Sequence, residues 1–173
     1  TFQSGGAAIT DTSVNYVNTS GNTWTAAYTV NASDTAGAVT FSIAFSDTAG
    51  NAGTAVTSGS GSVTFDITKP TLSITADGVK DGDTSNNSTL SLTFTSSEAT
   101  TDFVAGDITV SGGALSNFKA SSSTIYKATF TPSGAGATTI DVAGGAFTDA
   151  AVNSNTAATQ FNWTYDSTAP TMT

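Results

Sequence analysis

Histidine, cysteine and arginine are absent from this sequence, and Glu98 is its single glutamate. Without imidazole or thiol there is no ordinary general base, no thiolate nucleophile, no soft metal ligand and no disulfide. A Ser–His–Asp or Cys–His site cannot be built, and carboxylate acid–base chemistry would have to draw on scattered aspartates. No enzyme is expected. Basic charge is equally scarce: four lysines stand against 13 acidic residues, a net charge of −9. Phosphate backbones need a basic footprint, so nucleic acid is excluded as a partner, and an anionic membrane surface would repel the chain. No run approaches the roughly 20 apolar residues of a membrane span, so membrane insertion is not expected. No signal peptide opens the sequence. Such an acidic chain favours hard cations, solubility and salty surroundings.

Thr, Ser, Ala, Gly, Val and Asn dominate instead. The apolar residues fall in short alternating runs, which argues for a folded, strand-rich chain. A Cys-free, Lys-poor, Thr-rich composition suits an extracellular or cell-surface protein. The missing signal then implies an internal segment of a longer polypeptide.

The sequence also repeats itself. Phe65-Asp66-Ile67-Thr68-Lys69-Pro70-Thr71-Leu72 returns 100 residues later as Tyr165-Asp166-Ser167-Thr168-Ala169-Pro170-Thr171-Met172. Phe45-Ser46-Asp47-Thr48-Ala49-Gly50-Asn51 matches Phe147-Thr148-Asp149-Ala150-Ala151-Val152-Asn153 at an offset of 102, as Trp24–Val30 matches Tyr126–Pro132. A unit of about 100 residues is an ordinary domain. Taking the proline as the start of a unit, residues 1–68 are the later two-thirds of one domain, 69–168 a complete one, and 169–173 the start of a further repeat. A half-sandwich would expose its core, so something must complete the first unit.

Period-2 alternation places strands in the complete copy at Thr71–Ala76, Leu90–Thr95, Phe103–Val110, Leu115–Ala120, Ile125–Pro132, Thr138–Ala143 and Gln160–Tyr165. Core faces are expected at Leu90, Leu92 and Phe94, at Tyr126, Ala128 and Phe130, and at Phe161, Trp163 and Tyr165. In the first copy they are expected at Trp24, Ala26, Tyr28 and Val30 and at Val39, Phe41, Ile43 and Phe45. Turns fall at Gly112-Gly113, Ser133-Gly134 and Gly144-Gly145. No stretch carries a helical period. About seven short strands per hundred residues predict an all-β, Greek-key sandwich of immunoglobulin-like type.

The pattern Phe-x-Asp-x-Ala-Gly-Asn, then a strand, then Asp-x-Thr-x-Pro-Thr, resembles the immunoglobulin-like repeat domains of large bacterial surface adhesins and filament proteins. Leu92–Ala99 and Phe103–Gly113 add further residues of that pattern. The resemblance implies tandem stalk modules, with calcium bound where consecutive domains meet. One departure is Val152, which stands where the pattern has glycine, so a different loop turn is expected there.

Sandwich topology leads to the same ion independently. The loop after the second strand, the loop before the last strand and the entry to the first strand share one pole. Glu98, Asp149, Asn153 and Asp66 should therefore converge, and calcium takes 6–8 oxygens from carboxylates, amides, carbonyls and water. Asp47 and Asn51 would be half of an equivalent junction site, and Asp166 would serve the next. The alternative at the same positions is purely structural: Asx turns whose carboxylates accept backbone N–H groups. A second acidic loop, Asp77, Asp81 and Asp83, lacks the spacing of a calcium loop and reads as a solvated turn. Glycosylation sequons stand at Asn18, Asn31, Asn86, Asn87 and Asn162.

Function is thus expected to be structural: a spacer repeat of an extracellular adhesin or filament, cell-adhesive through its parent protein, with neighbouring repeats of the same or an identical chain as partners. The alternatives are a glycan- or protein-binding module and a glycosylated filament subunit assembled by strand complementation. Trp24 and Trp163 lie on strands with buried alternation, which argues against an aromatic glycan platform. A surface or glycan partner would then belong elsewhere in the parent protein.

Overall fold

In a computed structural model, which describes residues 1–11 and 14–172, the chain divides into two compact units, Thr1–Ile67 and Thr68–Thr173. The further repeat expected over 169–173 ends at Thr173, outside the described residues.

The first unit holds β1 (Phe2–Ser4), β2 (Ala7–Ala8), β3 (Asn15–Ser20), β4 (Thr23–Ala27), β5 (Gly37–Phe41) and β6 (Thr64–Phe65). The second holds β7 (Leu72–Ala76), β8 (Thr84–Ser85), β9 (Leu90–Ser96), β10 (Ile108–Ser111), β11 (Gly113–Ala120), β12 (Ile125–Pro132), β13 (Gly136–Val142) and β14 (Phe161–Tyr165). Two four-stranded sheets make up the second unit, β11-β12-β9-β7 and β10-β13-β14-β8. All their pairings are antiparallel except β14 with β8. This is the immunoglobulin-like sandwich expected from the alternation.

The core follows from the period of two, because alternate side chains of a strand point to one face. Leu90, Leu92 and Phe94 of β9 face inward beside Tyr126, Ala128 and Phe130 of β12. Ile140 and Val142 of β13 and Phe161 and Trp163 of β14 close the core from the other sheet. Each fully buried Leu, Ile, Val or Phe contributes about 1.5–3 kcal/mol. The Trp163 indole packs edge-on to Phe130 at 6.2 Å and donates its N–H to Ser85 Oγ at 3.0 Å, tying β8 to β14. Polar groups at this depth are paired too: the Thr138 hydroxyl donates to the Trp163 carbonyl at 2.8 Å.

Two local details differ from the alternation reading. Phe103–Val110 is interrupted by a 3-10 turn, Ala105–Asp107, where the Val104 N–H donates to Asp107 Oδ2 at 2.8 Å. Positive φ occurs at Gly112 and Gly145 as expected, but near Ser133 it is Gly136, not Gly134, that takes it. At Gly112 a side chain is sterically barred, since a Cβ would sit 2.7 Å from the Ala137 carbonyl oxygen.

The first unit repeats parts of this plan. Gly37 and Ala38 pair with Phe65 and Thr64, as Gly136 and Ala137 pair with Tyr165 and Thr164. Phe2, Tyr28 and Phe41 form a small aromatic contact, with ring centroids 5.2 and 6.1 Å apart. The expected core faces, however, are not buried. Trp24 is 64% exposed, and Val30 and Phe45 are also exposed. Val39, Phe41 and Ile43 are only half-buried. Among the described residues β3 and β4 form a two-stranded sheet, whereas their counterparts β11 and β12 continue into β9 and β7.

Candidate metal centre at the domain pole

The loop between β13 and β14 is shaped by one aspartate. Asp149 Oδ1 accepts the N–H groups of Ala151 and Asn153, each at 2.8 Å, and Oδ2 accepts the Asn153 side-chain N–H at 2.9 Å. The Asp149 N–H returns to the Asn153 carbonyl at 3.2 Å. In the first unit Asp47 does the same: Oδ1 accepts Ala49 and Asn51 N–H at 2.9 and 2.8 Å, and Oδ2 accepts the Asn51 side chain at 2.8 Å. The Asp-x-x-x-Asn spacing therefore encodes a closed Asx loop in both copies, because a short carboxylate reaches N–H groups two and four residues on.

Val152 does not alter that turn, contrary to the expectation from sequence. It occupies the place of Gly50 with φ of 68°, against 90° for the glycine. The hydrogen-bond ring overrides the residue's preference, and a β-branched side chain is held in the left-handed region. The side chain is 77% exposed, so it gains little by packing. An L-residue there costs about 1–2 kcal/mol, of which the greater flexibility of glycine would cancel part. Val152→Gly is therefore expected to stabilise the second domain by about 1 kcal/mol in urea unfolding. A neutral or destabilising result would show that the turn carries no such strain.

Three carboxylates gather around this loop. Ligand oxygens of Asp66, Glu98 and Asp149 lie within 4.8 Å of one another. Asp149 is buried and the other two are half-buried. Their positions follow from the strands. β9 ends at Ser96, leaving Glu98 on the following loop, and the Thr71 N–H donates to Ser97 Oγ at 2.9 Å to lace that loop to the start of β7. Pro70 is buried, and its carbonyl accepts the Thr156 N–H at 2.9 Å. Asp66 lies on the approach to this anchored proline.

Burial works against ionisation of Asp149. The hydrogen bonds from the Asn153 side chain and backbone and from Ala151, with a contact to the Glu98 carboxyl, outweigh it and hold the group below the usual carboxylate range. The donor set fits a hard cation: three carboxylates supply oxygens only, and backbone carbonyls and water can complete a calcium shell of 6–8. Mutual repulsion of such charges, about 1 kcal/mol per pair in water and about 4 kcal/mol near a protein surface at 4 Å, would be offset by the ion.

Of the other residues singled out from sequence, Asn153 turns its side-chain nitrogen to Asp149, so that atom orients the aspartate. Asp47 and Asn51 form their loop in the first unit, and Asp166 Oδ1 accepts the Thr168 N–H at 2.8 Å. Among the described residues no group of three candidate ligands forms around Asp47 or Asp166. In the second acidic loop Asp83 accepts the Lys80 N–H at 2.7 Å, which is local turn chemistry, whereas Asp81 accepts the backbone N–H of Asn162 at 2.7 Å and ties the loop to β14, 81 residues on.

Asp102 was not singled out. It accepts the Thr100 hydroxyl at 2.6 Å, and the Thr148 N–H at 3.0 Å and hydroxyl at 2.7 Å, clamping the loop after β9 to the loop that carries Asp149. Burial opposes its ionisation, but these bonds hold its carboxyl low. The partners are 46 residues apart in sequence, so no local spacing could have signalled them.

Among the described residues no helix is long and apolar enough to cross a membrane. No curated protein matches the sequence. A family model described as bacterial Ig-like domain matches residues 66–165, starting at Asp66 and ending at the last residue of β14. Domains of this kind are typically non-enzymatic structural modules, commonly found at the cell surface. With a two-sheet sandwich over the matched residues and that match covering more than half of its length, the chain belongs to the bacterial Ig-like domain family.

Proposed function

We propose that this chain is a spacer segment of an extracellular stalk, adhesin or cell-surface filament, and that calcium stiffens it where one domain follows another. The observation that carries this reading is the trio Asp66, Glu98 and Asp149: one carboxylate precedes the first strand of the matched domain and two belong to loops at its entry pole. Calcium held by these three would tie the incoming chain to the domain behind it. Asn153 would orient Asp149, and the buried Pro70 would limit the bend of the link. Asp47 with Asn51, and Asp166, would take the same part at neighbouring junctions once the flanking repeats supply the remaining ligands. In a tandem array each unit meets mainly its neighbours, so length and stiffness are themselves the function. The partners are then adjacent repeats of the same or an identical chain.

Small-angle X-ray scattering in calcium and in chelator tests this. Calcium should narrow the distribution of interatomic distances towards a single long axis, and Glu98→Gln should remove the effect. Identical curves with and without calcium would overturn ion-dependent stiffening.

A further inference from the structure

The outer face of the sheet β11-β12-β9-β7 carries a charge opposite in sign to that of the chain, and it lies apart from the carboxylate trio. None of these four strands contains an aspartate or glutamate, although the sequence has 13 acidic residues. Two of its four lysines stand there, Lys119 on β11 and Lys127 on β12, directly opposite one another in the register. Both are exposed, and Lys127 points outward because its neighbours Tyr126 and Ala128 are buried. The next position across the sheet from Lys127 is Thr93. Asp77, the acid that follows β7, lies at the far edge of the sheet from β11.

A β-bulge shapes the surface around the pair. Asn117 and Phe118 together face Ala128, between the pairs Ser116–Thr129 and Lys119–Lys127. Asn117 takes a φ of 54°, a region that asparagine enters more readily than most residues, and its side-chain amide donates to Thr129 Oγ1 at 3.4 Å. Such a bulge bends its strand and re-aims the side chains beside it. The result is a shallow depression of about 560 Å³, lined by Ser91, Asn117, Phe118 and Thr129 beside the two lysines. Ligand clefts span roughly 300–1,000 Å³, so the space suffices for one or two sugar rings. Like charges directly opposite across a strand pair destabilise a sheet, and an anion seated between them removes that cost.

We propose that this depression binds a carboxylated polysaccharide, with one uronate carboxylate held between the ammonium groups of Lys119 and Lys127 and sugar hydroxyls bonded to Ser91, Asn117 and Thr129. Bonds from an ammonium to a carboxylate are charge-assisted and stronger than neutral ones. The lining selects a sugar among anions. Hydroxyls and an amide match sugar hydroxyls, whereas a nucleic acid needs a longer basic track. A protein partner needs an apolar centre, and Phe118 is half-buried with its ring stacked on Tyr126 at 5.8 Å. The net charge of −9 does not prevent binding. At physiological ionic strength exposed charges more than about 8 Å away are largely screened, so the local pair dominates.

The test is titration of the whole chain with a hexamer of galacturonic acid, followed by calorimetry and by backbone amide chemical shifts. Chelator is present throughout, so no calcium bridges sugar and protein. Saturable binding with a Kd of roughly 0.1–1 mM is expected, with the largest shifts at Asn117, Lys119, Lys127 and Thr129. The double variant Lys119→Gln, Lys127→Gln should bind at least about tenfold more weakly, having lost both charged donors. Its unfolding midpoint should be unchanged or higher, because repulsion is relieved. Lys80→Gln, at an exposed lysine outside the sheet, should bind as the parent does. The methyl-esterified hexamer keeps the sugar and loses the charge, and should show no binding below about 10 mM. Failure of the hexamer itself to bind in that range, or equal binding by the ester or by the double variant, overturns the proposal. So does self-association that the double variant abolishes, since the occupant would then be an acidic loop of a second copy.

Discussion

If calcium binds as proposed, it is expected to raise the melting temperature of the second domain by roughly 10 °C or more at a hundredfold excess over Kd, with chelator reversing the shift. An ion that binds only the folded state stabilises by about 2.7 kcal/mol at that excess, and a domain of this size gains about 4–8 °C per kcal/mol. The residues that would respond are Asp66, Glu98 and Asp149, whose oxygens approach within 4.8 Å. Glu98→Gln keeps the shape of the side chain and removes its charge, so it should abolish the shift while leaving the melting temperature in chelator unchanged or higher, because repulsion is relieved. Asp149→Ala is less discriminating, since it also leaves the N–H groups of Ala151 and Asn153 without their acceptor. A melting temperature indifferent to calcium would mean that the Asx loop is purely structural.

Trp163→Ala lowers the stability of the second domain by about 3–5 kcal/mol, the range for emptying a buried aromatic site. Trp24→Ala in the first unit changes stability by less than about 0.5 kcal/mol, as surface substitutions do. The contrast rests on burial: Trp163 is 1% exposed and wedged between Phe130 and Tyr165, and its N–H is bonded to Ser85. Emptying its site would leave a cavity at the meeting point of both sheets and orphan the Ser85 contact. Urea unfolding followed by circular dichroism separates the two variants. Similar costs for both would mean that the hairpin β3–β4 is covered in solution by something that already buries Trp24. Total stability of a domain is typically 5–15 kcal/mol, so Trp163→Ala removes a large share of it.

Alternation determined most strands of the second domain, but not β8, and not the start of the Phe103–Val110 run, which a 3-10 turn interrupts. Leu90-Ser91-Leu92-Thr93-Phe94 and Tyr126-Lys127-Ala128-Thr129-Phe130 can bury one face only as strands, so their edges and inward residues were legible residue by residue. The internal repeat likewise determined the Asp-x-x-x-Asn loops, because their hydrogen bonds close within five residues. Tertiary structure decided what the same patterns do in context. Trp24 carries the alternation of a core strand yet is exposed, since burial depends on a neighbouring strand that periodicity cannot supply. Val152 sits in a glycine turn because the ring around Asp149 outweighs local backbone preference. Asp102 clamps two loops from far apart in sequence, and only the fold brings Thr148 to it. The carboxylate trio was anticipated from sandwich topology, but its approach to 4.8 Å depends on where the strand ends set Glu98 and on how the buried Pro70 anchors the chain beyond Asp66. Local chemistry is written in sequence spacing; distances between remote side chains are set by the packing of the sheets that carry them.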